Sequence, residues 1–321
     1  MTLALLFSPQ GSQAVGMGRD LAERFPAAQA VYREADATAG WPISSVAWDG
    51  PAERLNDTRQ TQPCLVTTSL AALAALRSAA EVAGITLRPA FVAGHSVGEY
   101  AALAAAGVLS NADAIRLVAR RGALMAEAQV EGGMAAVIGL DREAVAHAIE
   151  AAASPADLVV ANDNAPGQVV ISGTRDALLD AEPALKEAGA RRVISLAVSG
   201  PFHSPWMADV GDSLSQAFEE AGWLDADPPL VSNVTAEPVT DATRIRALLA
   251  EQVRSPVEWV ASVQRMLDEG VDTFIECGPG SALTGMVKRI APEARTHNVA
   301  DVATLDATLE ALGAVPAEAS A

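Results

Sequence analysis

A serine between two glycines is the feature of this sequence whose chemistry is easiest to name. Residues 94–98 read Gly-His-Ser-Val-Gly, after an apolar, partly β-branched run and before an alanine-rich helical pattern. The glycines permit the sharp strand-to-helix turn called a nucleophile elbow, which leaves the serine hydroxyl at a helix N-terminus. Chance alone gives this pattern in roughly one such chain in ten, so its context matters. Ser96 is the candidate nucleophile of an acyl-transfer reaction.

A serine hydroxyl attacks only when a base takes its proton, and the chain offers four histidines. His147 lies in a helical pattern and His297 lies near the end of the predicted fold, where surface or packing roles are expected. His95 adjoins Ser96, and at an elbow the adjacent side chain points away from the hydroxyl. His203 lies in a loop bounded by proline and glycine, and catalytic groups concentrate in loops on rigid scaffolds. We predict His203 as the base.

No carboxylate completes a triad in this pattern. Hydrolases with the nucleophile elbow carry their acid between the serine and the histidine in chain order. The aspartates in that interval fall mostly in a region that we predict to be a separate small domain, and none follows a strand of the main sheet: Asp113, Asp141, Asp157, Asp163, Asp176 and Asp180. The sequence therefore favours a Ser-His dyad whose imidazole is oriented by a group other than an acid.

The elements that must position these residues alternate in the manner of an α/β protein. Short apolar runs predict strands at 3–7, 89–93, 230–234 and 271–276, and amphipathic stretches predict helices at 17–37, 64–84, 97–106, 111–128, 242–253 and 256–269. This alternation predicts a parallel sheet covered by helices. Between about 130 and 197 the order becomes β-α-β-β-α-β, which is typical of a ferredoxin-like domain: strands 135–140, 157–161, 168–172 and 191–196, helices 142–152 and 174–188.

Charge and cysteine content exclude several function classes. The formal net charge is −18 and the chain has two lysines, so it lacks the extended basic field needed for nucleic acid or an anionic membrane. Its two cysteines show no metal-ligand spacing and no disulfide framework, which indicates a reducing cytoplasm and no metal. The N-terminal apolar run and the alanine-rich stretch 101–109 are too short for a signal sequence or a bilayer span. An acidic partner would need a local basic patch, such as Arg116, Arg120 and Arg121, the pair Arg191-Arg192, or Lys288-Arg289.

Seven motifs, in this order along the chain, resemble those of the malonyl-CoA:acyl-carrier-protein transacylases of fatty-acid and polyketide synthesis. The resemblance runs from about residue 3 to 291. The motifs are Gln10-Gly11-Ser12-Gln13 with Gly16-Met17-Gly18; Gly94-His95-Ser96-Val97-Gly98-Glu99; Arg121-Gly122 with Met125; Asn164-Ala165-Pro166-Gly167-Gln168 with Ile171-Ser172-Gly173; Pro201-Phe202-His203-Ser204-Pro205 with Met207; Gln252 ahead of Pro256-Val257; and Gly278-Pro279-Gly280 with Leu283-Thr284-Gly285.

The resemblance implies a ping-pong acyl transfer. Ser96 would attack the thioester of malonyl-CoA with His203 as base, and the phosphopantetheine thiol of acyl carrier protein would then collect the malonyl group. In the family a main-chain carbonyl orients the histidine, and that position falls on Gln252. The oxyanion would lie between the backbone N–H groups of Val97 and Gln10.

The resemblance also implies the substrate contacts and partners. Arg121 would hold the malonyl carboxylate, Phe202 stands where malonyl-selective polyketide members often carry phenylalanine, and His95 would line the substrate site. The partners are a CoA thioester and acyl carrier protein, which is generally acidic, and no bound cofactor is expected. The family has glycine where this chain has Pro9, which constrains the backbone beside the oxyanion donor Gln10.

The expected fold is an α/β-hydrolase-like large domain (1–128 and 199–312) with an inserted ferredoxin-like small domain (129–198) and a flexible tail (313–321). We expect the active site in the cleft between the two domains. Three alternatives stay open: a same-fold acyltransferase for another acyl group, a trans-acting polyketide pathway or a malonate decarboxylase complex; a serine thioesterase or esterase; and a binding module without activity. Intact Ser96, His203 and Arg121 argue against the last.

Overall fold

A six-stranded sheet forms the centre of the large domain. The computed structural model describes residues 1–128, 130–154 and 156–313. Over these residues the strands are β1 (Leu3–Phe7), β2 (Pro89–Gly94), β3 (Gly133–Ile138), β4 (Leu158–Ala165), β5 (Gln168–Gly173), β6 (Arg192–Ser195), β7 (Leu230–Val231), β8 (Pro238–Val239), β9 (Thr273–Cys277) and β10 (Arg295–Val299). The large sheet has the order β10-β9-β1-β2-β7-β8 and is parallel except for the antiparallel pair β7–β8.

Helices cover both faces of this sheet and pack on a second, smaller sheet. They are α1 (Arg19–Arg24), α2 (Pro26–Ala39), α3 (Ile43–Asp49), α4 (Ala52–Leu55), α5 (Thr58–Val82), α6 (Gly98–Ala105), α7 (Asn111–Glu127), α8 (Arg142–Ala152), α9 (Arg175–Glu187), α10 (Ala208–Phe218), α11 (Ala242–Gln252), α12 (Trp259–Asp268), α13 (Ala282–Ile290) and α14 (Val302–Ala311). Every residue of β1 is buried, and its side chains alternate between two apolar clusters, one for each face. A strand that is buried on both faces must be apolar throughout, which explains the sequence of β1.

The second sheet is antiparallel, with the order β4-β5-β3-β6, and the chain runs β3-α8-β4-β5-α9-β6 through it. Its apolar residues form a cluster with those of α8 and α9. The predicted fold class is thereby confirmed: a parallel α/β sheet with a separate small antiparallel unit inserted in the chain. The predicted domain bounds stay a prediction, and residues 129 and 314–321, which include most of the predicted tail, lie outside the described residues.

Some predicted elements differ from the observed ones for local reasons. The single helix expected at 17–37 is two helices, because Pro26 disfavours a helical conformation in Phe25, which is extended and separates α1 from α2. Helix α5 begins at Thr58, six residues before the predicted start, because the side chain of Asp57 accepts the backbone N–H of Arg59 and caps it there. Elements that the sequence analysis did not predict include α3, α4, α10, α14, β8 and β10.

Helix α5 is long and apolar enough to cross a bilayer, but it is a core helix here. Of its most apolar window, 78% is buried inside the protein, and its buried residues belong to the larger apolar cluster. A helix buried by protein has no face left for lipid. Among the described residues, α5 is the one helix that is long and apolar enough to span a membrane.

Candidate active site

Ser96 stands at the turn between β2 and α6, with a backbone φ of 53°. A positive φ is rare for a residue with a side chain and is tolerated only where the surroundings enforce it. Here they do: a Cβ on Gly94 would lie 2.0 Å from the carbonyl carbon of Gly98, and a Cβ on Gly98 would lie 2.2 Å from the carbonyl oxygen of Phe7. Both glycines are therefore required by close backbone approach, and α6 starts directly against the end of β1.

The side chain of Asn233 stabilises the turn by two hydrogen bonds to its backbone. Its Oδ1 accepts the backbone N–H of Ser96 at 2.7 Å, and its Nδ2 donates to the carbonyl of Gly94 at 2.7 Å. The residue is fully buried and follows β7, the neighbour of β2 in the sheet. One amide thus satisfies a donor and an acceptor that the strained turn leaves without regular partners.

Ser96 and His203 form the predicted pair. Ser96 Oγ lies 2.7 Å from His203 Nε2, and His203 Nδ1 lies 2.9 Å from the carbonyl of Gln252 and 3.2 Å from that of Ser255. Since carbonyl oxygens only accept, Nδ1 carries the proton, and the lone pair of Nε2 faces the serine hydroxyl. Gln252 ends α11, where the last carbonyls lack partners within the helix, so its oxygen can accept from the imidazole besides the backbone N–H of Ser255 at 3.4 Å.

Two electrostatic features keep the imidazole neutral. The pKa of His203 is lowered to about 3, mainly by burial and next by the positive charge of Arg121. The residue is 4% exposed and, like Ser96, has a positive φ, of 56°. In this state His203 is a proton acceptor throughout the neutral pH range.

Arg121 reaches the same hydroxyl from α7. It is 1% exposed, and its Nη2 donates to Ser96 Oγ at 3.1 Å and to Gln252 Oε1 at 3.0 Å, while its Nη1 donates to Gln62 Oε1 at 2.8 Å. The guanidinium also lies over the ring of Tyr100, 5.9 Å from its centroid. A fully buried cation beside the nucleophile is suited to bind an anionic group of a substrate.

The two predicted oxyanion donors lie at one edge of the sheet. β1 and β2 are parallel neighbours with Phe7 opposite Gly94, so the loops that carry Gln10 and Val97 leave the sheet side by side. Pro9 accepts the N–H of Ser12 at 3.3 Å and begins a turn whose third residue, Gly11, has a φ of 99°. This is the geometry of a type II turn, which accommodates Pro9 before Gln10.

Two further predicted substrate residues have different surroundings. Phe202 is 4% exposed, and its ring packs over Gly200 in the larger apolar cluster. His95 points away from Ser96: its Nε2 lies 2.7 Å from Asn164 Oδ1 of the small domain, and its ring lies 5.4 Å from that of Trp259. His95 therefore joins the two domains beside the nucleophile.

The domains also share backbone hydrogen bonds near this point. Val257 N–H donates to the carbonyl of Ala161 at 2.8 Å, and Asp163 N–H donates to the carbonyl of Val257 at 3.0 Å. Arg142 and Glu258 add an ion pair across the same junction. The main chain that follows Gln252 is thus tied to β4 of the small domain.

The sequence analysis did not identify several residues of this site, among them Ser255, whose carbonyl faces His203. Gln62 and Asn233 hold Arg121 and the elbow from elements that are 59 and 137 positions away along the chain. Glu99 lies inside the elbow motif, but nothing in the sequence indicated what its carboxylate contacts. Among the described residues, no group of three or more His, Cys, Asp or Glu side chains is placed to hold a metal ion.

The chain is similar to known proteins over nearly its whole length. The family model described as acyl transferase domain matches residues 4–308. The malonyl CoA-acyl carrier protein transacylase of Bacillus subtilis is 44% identical over 313 residues, which cover 97% of either chain. The chain belongs to the malonyl CoA-acyl carrier protein transacylase family. The resemblance inferred from the seven motifs is confirmed.

Solved structures of this transacylase family share the fold over nearly the whole chain. An acyl carrier protein S-malonyltransferase from Vibrio cholerae is 41% identical, with a TM-score of 0.90, and the match covers 96% of this chain and all of that one. A malonyl-transacylase solved in complex with its type II polyketide synthase acyl carrier protein is 39% identical, with a TM-score of 0.91, covering 97% of this chain and all of that one.

Proposed function

We propose that this protein transfers the malonyl group of malonyl-CoA to the phosphopantetheine thiol of acyl carrier protein through a malonyl-Ser96 intermediate. The observation that carries the proposal is the pair of contacts at Ser96 Oγ, which lies 2.7 Å from His203 Nε2 and 3.1 Å from Arg121 Nη2. A base and a buried cation thus meet at one nucleophile. Family membership and relatives that carry the malonyl transacylase name support the same reaction.

In the first half-reaction, Ser96 Oγ attacks the thioester carbonyl while His203 Nε2 takes the hydroxyl proton. The tetrahedral oxyanion would accept hydrogen bonds from the backbone N–H groups of Val97 and Gln10. The carbon–sulfur bond then breaks, and His203 returns its proton to the departing CoA thiolate. The carbonyls of Gln252 and Ser255 stabilise the imidazolium at the step where it is charged.

The second half-reaction reverses these roles. The phosphopantetheine thiol gives its proton to His203 and attacks the malonyl ester, the bond to Ser96 Oγ breaks, and Ser96 recovers the proton. No step needs a metal or a bound cofactor, and malonyl-CoA enters as substrate. The compartment that fits such a protein, with two buried free cysteines, is the cytoplasm.

The malonyl carboxylate would bind Arg121. A guanidinium forms two parallel charge-assisted hydrogen bonds with a carboxylate, and it stays charged at every relevant pH. An incoming carboxylate would accept the N–H of Nη2 that points at Ser96 Oγ, while the N–H that donates to Gln252 Oε1 keeps the guanidinium in place. Phe202, directly before the base, would crowd the α-carbon and disfavour a methylmalonyl group.

The covalent intermediate is the direct test. Incubation with malonyl-CoA should add the mass of one malonyl group to the intact protein, and Ser96→Ala should abolish this addition. His203→Ala should slow the acylation by roughly 10²–10⁴-fold, the usual contribution of a general base. Labelling that persists in Ser96→Ala would exclude the assignment, and acylation of His203→Ala at the normal rate would require another base.

A thioesterase is the competing activity, since the same dyad could pass the acyl group to water. Product analysis with malonyl-CoA, with and without acyl carrier protein, separates the two. The transferase produces malonyl carrier protein, and the thioesterase produces free malonate whether or not carrier protein is present.

A further inference from the structure

The carboxylate of Glu99 contacts two residues that hold Ser96 and His203 but takes no part in the proposed chemistry. It is 2% exposed, in the first turn of α6. Its Oε1 accepts the backbone N–H of Asn233 at 2.7 Å, and its Oε2 accepts a close hydrogen bond from Nε2 of Gln252. Both partners hold the dyad, Asn233 through the elbow at Ser96 and Gln252 through the imidazole of His203.

The side-chain amide of Gln252 has one productive orientation. Its Nε2 donates to Glu99 and to the carbonyl of Ser96, the latter at 3.0 Å, and its Oε1 accepts from Arg121 Nη2 at 3.0 Å. An amide turned by 180° would present N–H groups to the guanidinium, which is itself only a donor, and its oxygen to two acceptors. An ionised carboxylate accepts and does not donate, so Glu99 favours the observed orientation together with the Ser96 carbonyl and Arg121.

We propose that Glu99 is a positioning residue, which fixes the amide of Gln252 so that its oxygen holds Arg121 in place for the substrate carboxylate. The inference rests on the proposed function, because it assigns Arg121 to the malonyl group. Glu99 acts through Gln252 and touches no reacting atom. It is also the buried negative charge that balances Arg121 across this amide, and each charge favours the ionised form of the other.

Substitution of Glu99 by glutamine turns one of its two hydrogen-bond acceptors into a donor. In Glu99→Gln, the new Oε1 can keep the N–H of Asn233, and its Nε2 then faces the Nε2 of Gln252, donor against donor. The amide of Gln252 must then shift or turn away from residue 99, at the expense of its hydrogen bond to the Ser96 carbonyl, and Arg121 loses a fixed acceptor. We expect kcat/KM for malonyl-CoA to fall roughly 10- to 100-fold, the effect of losing a hydrogen bond to a charged group, with kcat/KM for acetyl-CoA little changed.

An exchange of the two side chains separates positioning from simple structural damage. In the double variant Glu99→Gln/Gln252→Glu, residue 99 donates to the new carboxylate at 252, and that carboxylate accepts from Arg121. The donor–acceptor order from Asn233 through residue 99 to Arg121 is restored, while the hydrogen bond from residue 252 to the Ser96 carbonyl is lost, because a carboxylate cannot donate. We expect the malonyl-to-acetyl preference of the double variant to be higher than that of Glu99→Gln, and that of Gln252→Glu alone, with two facing carboxylates, to be lower than either. Such non-additivity is the signature of direct coupling.

A pH profile gives a second readout. Burial raises the pKa of Glu99 to about 7, against the lowering effects of Asn233, Gln252 and Arg121. The other titratable groups around it are Tyr100, whose pKa is raised by burial, and the neutral His203 and His95. Protonated Glu99 resembles glutamine, so the malonyl-to-acetyl preference of the wild type should fall between pH 8 and 6, and that of Glu99→Gln should not change over this range.

Glu276→Gln is the matched control. Glu276 is an equally buried carboxylate in β9, and it accepts backbone N–H groups of α13 and the hydroxyl of Ser8 rather than any group of the dyad. Its substitution should lower stability and leave the acyl preference unchanged. If Glu99→Gln folds poorly, the exchanged pair still tests the inference, because it removes the donor–donor contact between residues 99 and 252 and keeps an acceptor for Arg121.

The inference is overturned if folded Glu99→Gln keeps the wild-type malonyl-to-acetyl preference, or if the exchanged pair selects no better than Glu99→Gln. These outcomes leave the proposed function intact as long as malonyl-CoA modifies Ser96 of the wild type. A wild type that is not malonylated at Ser96 contradicts the proposed function itself, whatever Glu99 does.

Discussion

At the scale of single residues, backbone strain and buried charge concentrate on the proposed nucleophile and base. Ser96 and His203 are two of the three non-glycine residues with a positive φ among those described. The pKa of His203 is low chiefly because the imidazole is buried and next because Arg121 is positive. A substrate carboxylate on Arg121 would offset that charge and raise the basicity of His203. Binding the correct acyl group would therefore strengthen the base.

Arg121→Ala should reverse the acyl preference. An acetyl group leaves the guanidinium buried without its anionic partner, which costs on the order of 2–5 kcal/mol, or a factor of roughly 30 to several thousand in kcat/KM. The variant should lose malonyl transfer and keep or gain acetyl transfer. The ratio of kcat/KM for malonyl-CoA over acetyl-CoA is the measurement, with Arg120→Ala, an exposed neighbour, as control. An unchanged ratio would place selectivity elsewhere. The pKa of His203 in the free variant, followed by NMR, should rise.

The residues that the sequence identified are those whose neighbours in the chain form a motif. Ser96, His203 and Arg121 could be named in this way, and the structure brings all three to one hydroxyl. Gln62 and Asn233 could not, because their contacts depend on how distant elements pack rather than on local sequence. A buried asparagine carries no chemical signal until the strand before it is placed beside β2.

At the scale of elements, the contact between β1 and α6 sets the geometry of the nucleophile. Helix α6 begins so close to β1 that a single methyl group at Gly98 would penetrate the carbonyl of Phe7. The helix N-terminus, with its free N–H groups, is thereby held at the carboxyl edge of the sheet. The elbow is a property of two packed elements as much as of five residues.

Gly98→Ala should destabilise the protein and misplace Ser96. Overpacking of this kind lowers the free energy of unfolding by about 1–3 kcal/mol. The atoms that oppose the added methyl group belong to the backbone, so they cannot move aside as a flexible side chain could. Urea unfolding and the rate of Ser96 malonylation should both report the change. Gly285→Ala is the control: no atom lies within 4 Å of its added Cβ, and within α13 alanine should stabilise by about 0.5–1 kcal/mol. A Gly98→Ala variant as stable and active as the wild type would contradict the close contact.

The element pattern was predictable where hydrophobic periodicity was strong. β1 and β2 were placed within a residue of their observed bounds, and the β-α-β-β-α-β order of the small sheet was read from alternation alone. The edge strand β10 was missed because its sequence, Arg-Thr-His-Asn-Val, is polar, as an edge strand half-exposed to solvent permits. Helix α10 has a clear amphipathic pattern and could have been predicted.

At the scale of the whole molecule, two exposed arginines from different domains lie together. The side chain of Arg191 packs against Gly139, and the guanidinium of Arg289 lies beside Gly167, where the Cα of Gly139 is also near. Arg289 donates to Gln168 at 2.6 Å from the other side of the junction. Against a net charge of −18, this is a local positive surface at the domain boundary.

Reversing these charges should weaken docking of an acidic carrier protein. Arg191→Glu/Arg192→Glu and Lys288→Glu/Arg289→Glu should each lower kcat/KM for carrier protein and reduce its salt dependence, because opposite charges mainly steer association. Malonylation of Ser96 by malonyl-CoA should change little, which separates docking from chemistry. Arg244→Glu, an exposed position on α11, is the control. Unchanged carrier kinetics in both double variants would contradict this surface.

Acid should destabilise the fold through its buried histidines. Burial lowers the pKa of His95 to about 4 and that of His203 to about 3, whereas both have a pKa near 6.5 in the unfolded chain. At a pH between these folded and unfolded values, the unfolded chain binds protons that the folded chain does not. Stability from these groups is present above 6.5 and is lost as pH falls. Glu99 acts oppositely: with a raised pKa of about 7, it favours folding at low pH and loses that contribution as pH rises through 7.

His95→Gln should therefore flatten the acid side of the stability curve. Between pH 7 and 5 one such histidine changes the free energy of unfolding by up to about 2 kcal/mol, at roughly 1.4 kcal/mol per proton and pH unit. Urea unfolding at the two pH values should give a smaller difference in the variant than in the wild type. The control is His147→Gln, at an exposed position of α8, which should leave the difference between the two pH values unchanged. If the free energy of unfolding of His95→Gln changes with pH as much as that of the wild type, His95 is not a buried neutral group.

The pairing of β1 with β9 has a consequence for the order in which the protein can be made. Leu3 lies opposite Thr273, so β1 waits for a neighbour that is synthesised 270 positions later. At typical rates of translation this wait is roughly 15–50 s. During that time one edge of an entirely apolar strand has no partner, which is the condition under which nascent chains aggregate or recruit chaperones. The inserted small domain, whose strands are all contiguous, can complete its own sheet long before.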